Sequence, residues 1–191
     1  MALVSYALVT LDNTKTFLGI TGTSNDSLLE MLINQVTDYI ETRTDRRFAE
    51  TTYTEEVYDG EDCATLVLRQ LPITTFTKLE KNNATDNSDS WEEIDSDNYW
   101  VDELEGILTK TTLFRRGKQN YRATYTAGYS EIPYDIQFLA MSLISDVFNR
   151  RKNMGVLKET LGDHSIEFER FMQENQSQMK IISNYRKIPI C

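Results

Sequence analysis

The sequence predicts an α+β protein: a helical core formed by N- and C-terminal helices, with an inserted antiparallel β-rich segment. Two changes of hydrophobic period predict it. Apolar residues recur at three- and four-residue steps to about residue 43. They alternate with polar ones in short runs between about 52 and 127, then return to helical steps after Ile132-Pro133. Grouped rather than alternating elements favour α+β over a doubly wound sheet. The third observation is size. A chain of 191 residues, 40% of them hydrophobic, suits one domain with an insertion. The segments are 1–50 (N-terminal helices of the core), 51–128 (β-rich insertion) and 129–191 (long helix and C-terminal tail completing the core).

Taken in order, Thr10 reads as the N-cap of a short helix from Leu11 to Leu18, with Leu11, Thr14, Phe17 and Leu18 facing inward. Gly19 fits the left-handed position that ends it. Leu29, Leu32, Ile33, Val36, Tyr39 and Ile40 mark the clearest helix, running to about Arg43. The period then becomes strand-like. Tyr53, Glu55 and Val57 alternate with Thr52, Thr54 and Glu56. Residues 58–62, Tyr-Asp-Gly-Glu-Asp, read as a hairpin turn, with residues 65–69 as the return strand. Further strands are expected from Ile73 to Leu79, near Trp91, Tyr99 and Ile107, and from Tyr121 to Thr126. Residues 82–89 form a polar loop. Pro133 suits a first helical turn, and Ile136, Leu139, Ala140, Leu143, Ile144, Val147 and Phe148 give about four turns of apolar face. His164 falls in a turn, and a weaker helix runs from about Phe168 to Tyr185.

The formal net charge is −10, and the acidity is local. No Lys or Arg occurs between Lys81 and Lys110, a stretch that holds nine acids. The bases cluster at residues 43–47, 115–122, 150–152 and 180–187. Three of these groups end or follow helical patterns, where cations meet the negative end of the helix dipole. The sharper reading is complementarity between copies, an acidic surface on one subunit facing a basic one on the next. The overall balance argues against a duplex-DNA binder. No apolar run approaches the roughly 18 residues a membrane helix needs, so no membrane partner is expected. The apolar start lacks a basic region before Lys15 and does not read as a signal peptide. Cys63 and Cys191 are too few for a disulfide scaffold and read as free thiols.

The inventory of reactive groups is sparse. His164 is the single histidine, and its sequence neighbours Asp163 and Ser165 do not by themselves build a triad. No paired Cys-x-x-Cys or His-Glu-x-x-His exists for zinc. Asp95-Ser96-Asp97 begins like a calcium loop, but Tyr99 and Gly106 stand where ligands belong. A looser calcium site among Asp86, Asp89, Asp95 and Asp97 stands against a solvated loop. Phosphate-cradling glycine motifs are absent. Trp91 and the Tyr99-Trp100 pair read as packing of the β segment rather than a sugar platform. The expectation is no catalytic residue, no metal and no cofactor.

One family gathers several of these pieces. They are residues 8–20 (Leu-Val-Thr-Leu-Asp-Asn-Thr-Lys-Thr-Phe-Leu-Gly-Ile) and 25–33, followed by Tyr39-Ile40-Glu41 and Thr44-Asp45-Arg46-Arg47-Phe48. Later come Tyr121 to Tyr129, Ile132 to Gln137, Asn149-Arg150-Arg151 and residues 161–165. This ordered set resembles the head–tail connector (adaptor) family of tailed bacteriophages and prophages. It covers both helical ends and the strand leading into the long helix. His164 departs from it, standing where an aromatic such as tyrosine is expected.

The resemblance implies a structural protein, not an enzyme, found in the virion neck and assembled in the host cytoplasm. It implies a homo-oligomeric ring of about a dozen subunits under the portal protein. The ring extends the channel, through which DNA passes without specific binding, and offers a platform for a stopper or tail-completion protein. The inter-subunit candidates are Arg150 and Arg151, facing acids such as Asp95 and Asp97 on a neighbour. The portal-docking candidates are Ile181, Ile182, Tyr185, Arg186 and Ile188, with a tail packed on its own core as the competing reading. Deletion beyond Gln178 is expected to abolish portal binding and leave the fold intact. The alternatives are another neck or tail-completion protein, a carbohydrate- or calcium-binding module, and a carboxylate hydrolase.

Overall fold

The computed structural model describes residues 2–83, 90–151, 158–161, 164–167 and 176–186. The chain divides into two units: Met1–Asp45 with Ile132–Lys187, and a second built on Arg46–Glu131.

The first unit is mainly helical. Helix α1 (Leu11–Leu18) starts as its cap predicts: the Thr10 hydroxyl accepts from the Asn13 N–H at 3.1 Å. Gly19 closes it at φ 66°, a conformation that costs a side-chain-bearing residue free energy. Helix α2 (Asp26–Thr44) buries Leu29, Leu32, Ile33, Val36 and Ile40. It also ties down the segment before α1. Asn34 accepts from the Val4 N–H, and the Thr37 hydroxyl accepts from the Leu8 N–H. Helix α3 (Tyr134–Arg150) buries Ile136, Leu139, Ala140, Ile144 and Phe148, while Leu143 and Val147 are half-buried. Pro133 stands at its N-cap. Phe17 is the exception to the expected α1 face. It is exposed, because Thr14 takes the buried position and Phe17 meets Phe138 edge-on at 6.2 Å on the surface.

The expected weak helix is present as α4 (Gln176–Tyr185); residues 168–175 lie outside the described residues. Where a turn was expected around His164, two short strands pair antiparallel, Lys158–Leu161 with His164–Glu167, so His164 opens a strand.

Among its described residues the second unit holds seven strands: β1 (Thr51–Gly60), β2 (Cys63–Val67), β3 (Ile73–Asn82), β4 (Trp91–Glu93), β5 (Tyr99–Asp102), β6 (Ile107–Phe114) and β7 (Gly117–Ala127). They form two antiparallel sheets, ordered β1-β7-β3-β4 and β2-β6-β5. One continuous core joins them: Leu66, Leu68, Leu108 and Phe114 pack with Tyr58, Leu79, Tyr121 and Tyr125. In β7 the period-2 reading holds, with Tyr121, Ala123, Tyr125 and Ala127 buried.

Two expectations for β1 need correction. Residues 58–62 are not a hairpin turn. β1 pairs with β7 and β2 pairs with β6, so the chain turns a corner from one sheet into the other. A second corner, Arg115-Arg116 between β6 and β7, runs beside it. The Asp62 N–H donates to the Phe114 carbonyl at 2.8 Å. The alternation in β1 also changes phase. Glu55 sits at φ 55°, the ladder slips between Tyr53 and Glu56, and thereafter Glu56 and Tyr58 turn inward in place of Glu55 and Val57. A bulge inserts one unpaired residue, and one residue is enough to swap the faces.

Candidate functional site

The corner collects cations. Lys81 from the end of β3, Lys110 from β6, and Arg115, Arg116 and Lys118 from the corner line an open groove of about 1220 Å³. Leu113 and Tyr121 share the wall, and among the described residues Asp62 is the one acid lining it. That aspartate is already committed, accepting from the Arg116 N–H at 2.8 Å. Lys110 is half-buried with its ammonium over two rings, 5.1 Å from the Phe114 centroid and 5.6 Å from that of Tyr121. Burial, then the like charges of Lys81 and Arg115, hold its pKa below the ordinary lysine value. Lys81 pairs with Glu92 at 3.1 Å on the exposed rim.

The backbone of the corner is fixed from several sides. Asn120 accepts from the Gly60 N–H and donates to the Arg115 carbonyl, each at 2.9 Å. The Tyr121 hydroxyl accepts from the Arg115 N–H at 2.9 Å. The groove is therefore a shaped cationic surface suited to a carboxylate- or phosphate-bearing partner.

Sequence reasoning noted the bases at 115–122 but did not assemble this groove. Lys81 and Lys110 reach it through strand pairing, and Arg122 leaves it because β7 turns it to the other side. A usable signal was present: no Asp or Glu occurs from Gly106 to Ser130, directly after the base-poor acidic stretch.

The described acids of that stretch are all exposed. Asp95 caps the 3-10 turn Ser96–Asn98, accepting from the Asp97 N–H at 3.0 Å, and both aspartates are exposed. Asp86 and Asp89 lie outside the described residues. Among the described residues no group of three His, Cys, Asp or Glu is placed to hold a metal ion. Trp91 and Trp100 belong to different sheets. Trp91 carries the Arg122 guanidinium at 4.5 Å, whereas Trp100 is 60% exposed and does not serve as packing.

In the helical unit, Arg150 and Arg151 end α3, both half-buried. The Arg151 guanidinium stacks on the Phe148 ring at 3.7 Å and donates to the Phe148 carbonyl, so it serves its own helix end. Of the docking candidates, Ile182 is buried in its own unit, Ile181 and Tyr185 are half-buried, Arg186 is exposed, and Ile188 lies outside the described residues. The Tyr185 hydroxyl donates to Asp135 at 2.9 Å. Deletion beyond Gln178 therefore also removes a core side chain and does not isolate docking. The sequence reading missed Tyr134 and Phe138, which stand exposed four residues apart on α3 with Phe17 against Phe138.

The model of the head completion protein family matches residues 7–188. No curated protein sequence matches the chain. The solved chains that share its fold include three matched across all of its length and 95% of theirs. One comes from the neck of an empty gene transfer agent particle computed with C6 symmetry, at 14% identity and a TM-score of 0.59. Another comes from the neck of the native particle computed with C12 symmetry, at 13% and 0.57. The third comes from the virion of the native particle, at 14% and 0.56.

Proposed function

Because the chain belongs to the head completion protein family, whose members are structural and not enzymes, we propose that it forms a ring in the neck of a tailed-phage-like particle. The ring sits under the portal, extends the DNA channel and carries the stopper or tail. The observation that carries this reading is the full-length likeness of fold to chains from symmetric particle necks. The composition supports it too. A net charge of −10 repels phosphates, so DNA passes such a ring without being held.

Portal docking belongs on this reading to the outer side of α4, with Ile181, Tyr185 and Arg186 at the contact and Ile182 as the anchor that holds the helix in its own unit. Arg150 remains the candidate at the end of α3 for a contact with a neighbouring copy.

Portal-bearing heads that lack a neck, mixed with purified chain, test the proposal. Images should show a ring added at the portal vertex and nowhere else. Heads that stay bare, or chains scattered over the shell, would sink it. Lys180→Glu with Arg186→Glu, both at exposed positions, should lower ring addition at least tenfold with an unchanged melting temperature. Unaltered addition would remove α4 from the docking surface.

A further inference from the structure

The basic groove has a counterpart on the same unit. Residues 102–105 (Asp-Glu-Leu-Glu), the end of β5 and the turn that follows it, are all exposed, Leu104 at 76%. The turn is held in shape before any partner arrives. The Asp102 carboxylate accepts from the Leu104 and Glu105 N–H groups at 3.1 and 3.0 Å. The Glu103 carbonyl accepts from Ile73, and the Gly106 carbonyl accepts from Leu68. A pre-ordered turn loses little freedom on binding.

The two features sit at opposite ends of β6. The turn precedes Ile107, and the Arg115-Arg116 corner follows Phe114. Eight strand residues separate the turn from the Arg115-Arg116 corner by about 25 Å, so those two cannot meet within one chain. Resting on the ring reading above, we infer that the groove lined by Lys81, Lys110, Arg115, Arg116 and Lys118 receives the acidic 102–105 turn of a neighbouring copy. Asp102, Glu103 and Glu105 meet the cations, and Leu104 meets Leu113, which is exposed in the groove wall. Two different surfaces at the two ends of one strand give a head-to-tail contact, the kind that closes rings. Duplex DNA fits less well. Phosphates offer nothing to Leu113, and the acidic chain around the groove repels a polyanion.

Disulfide trapping tests this in assembled particles. Cys63 and Cys191 are replaced by serine, and Leu104→Cys and Leu113→Cys are introduced together. After neck assembly and mild oxidation, the chain should run as a ladder of covalent multimers, which neither single cysteine produces. Separately, Glu103→Lys/Glu105→Lys and Arg115→Glu/Arg116→Glu should each cut ring formation at least tenfold with melting temperature unchanged, and the combined chain should recover it. A normal ring without the ladder overturns the inference and leaves the ring reading standing. So does a normal ring from either reversed pair, or a well-folded combined chain that stays unassembled. If Arg115→Glu/Arg116→Glu abolishes binding of a labelled duplex while the ring still forms, the groove is a phosphate site and the inference is overturned. A parent chain that never enters the neck takes both readings down together.

Discussion

Arg122→Ala is expected to destabilise the β unit by about 3 kcal/mol, the low end of the loss when a buried charge is deprived of its main partner. Arg122 grips Glu80 with two parallel bonds, Nε to Oε2 at 2.8 Å and Nη2 to Oε1 at 2.9 Å. Its third nitrogen reaches Glu55 at 3.1 Å, and its plane lies on Trp91. Glu80 is 6% exposed. Without Arg122 its carboxylate keeps, among the described residues, the Lys78 ammonium at 3.0 Å. Arg122 ties β7 to β3, β1 and β4 through one side chain, so its loss should appear as a lower urea midpoint followed by tryptophan fluorescence. Both tryptophans, Trp91 and Trp100, lie in this unit.

The pair also sets an acid limb. Hydrogen bonding to Arg122 holds the Glu80 carboxyl below its ordinary value of 4.5. A depressed carboxylate contributes stability that is complete above the unfolded value and is lost as pH falls through the lower folded one. Arg122→Ala should therefore flatten the stability profile below about pH 4.5. An acid limb identical to the parent's would show that the pair contributes nothing there.

Gly60→Ala is the second large effect, expected to cost more than about 3 kcal/mol, beyond the usual range for overpacking. The reason is space. A Cβ on Gly60 would lie 2.0 Å from the Arg115 carbonyl oxygen and 2.8 Å from Cε2 of Tyr121. One obstacle is backbone, and the other is a ring locked in the core, so neither yields cheaply. The two corners must separate, and the cations of the groove disperse with them. Gly22→Ala is the control: nothing lies within 4 Å, and only its φ of 79° opposes a side chain, a cost of about 1 kcal/mol. A Gly60→Ala chain as stable as the Gly22→Ala chain would mean that the close approach of the corners is easily relaxed.

The elements legible in the sequence are those whose signals are local. The Thr10 cap with Gly19, the apolar stripes of α2 and α3, and the alternation of β7 all sit within one element. What escaped depends on distant partners. Glu55 looks like any strand residue until the slip against β7 turns Glu56 inward. There Glu56 accepts from the Tyr58 and Tyr125 hydroxyls and pairs with Arg69 at 3.1 Å. Residues 58–62 carry the composition of a hairpin turn, yet the strand that follows finds β6, because the β1–β7 ladder continues around the corner as β2–β6. Phe17 carried no local sign of being exposed. The groove follows the same logic, since its five cations come from three separate stretches and only strand pairing brings them together.

The two places where the chain crosses into and out of the β unit are stitched to each other. Ala49 bridges Tyr129, the Tyr129 N–H donates to the Phe48 carbonyl, and the Glu50 N–H donates to the Tyr129 carbonyl. For the helical unit this changes the folding problem. Its halves are separated by residues 46–131, and closing so long a loop of free chain would oppose the meeting of α2 and α3. Once the strands have formed, the stitch reduces that loop to a few residues. The order of events then favours the inserted sheets first, with the helices condensing afterwards across a short tether. Slow steps in refolding should accordingly track strand pairing.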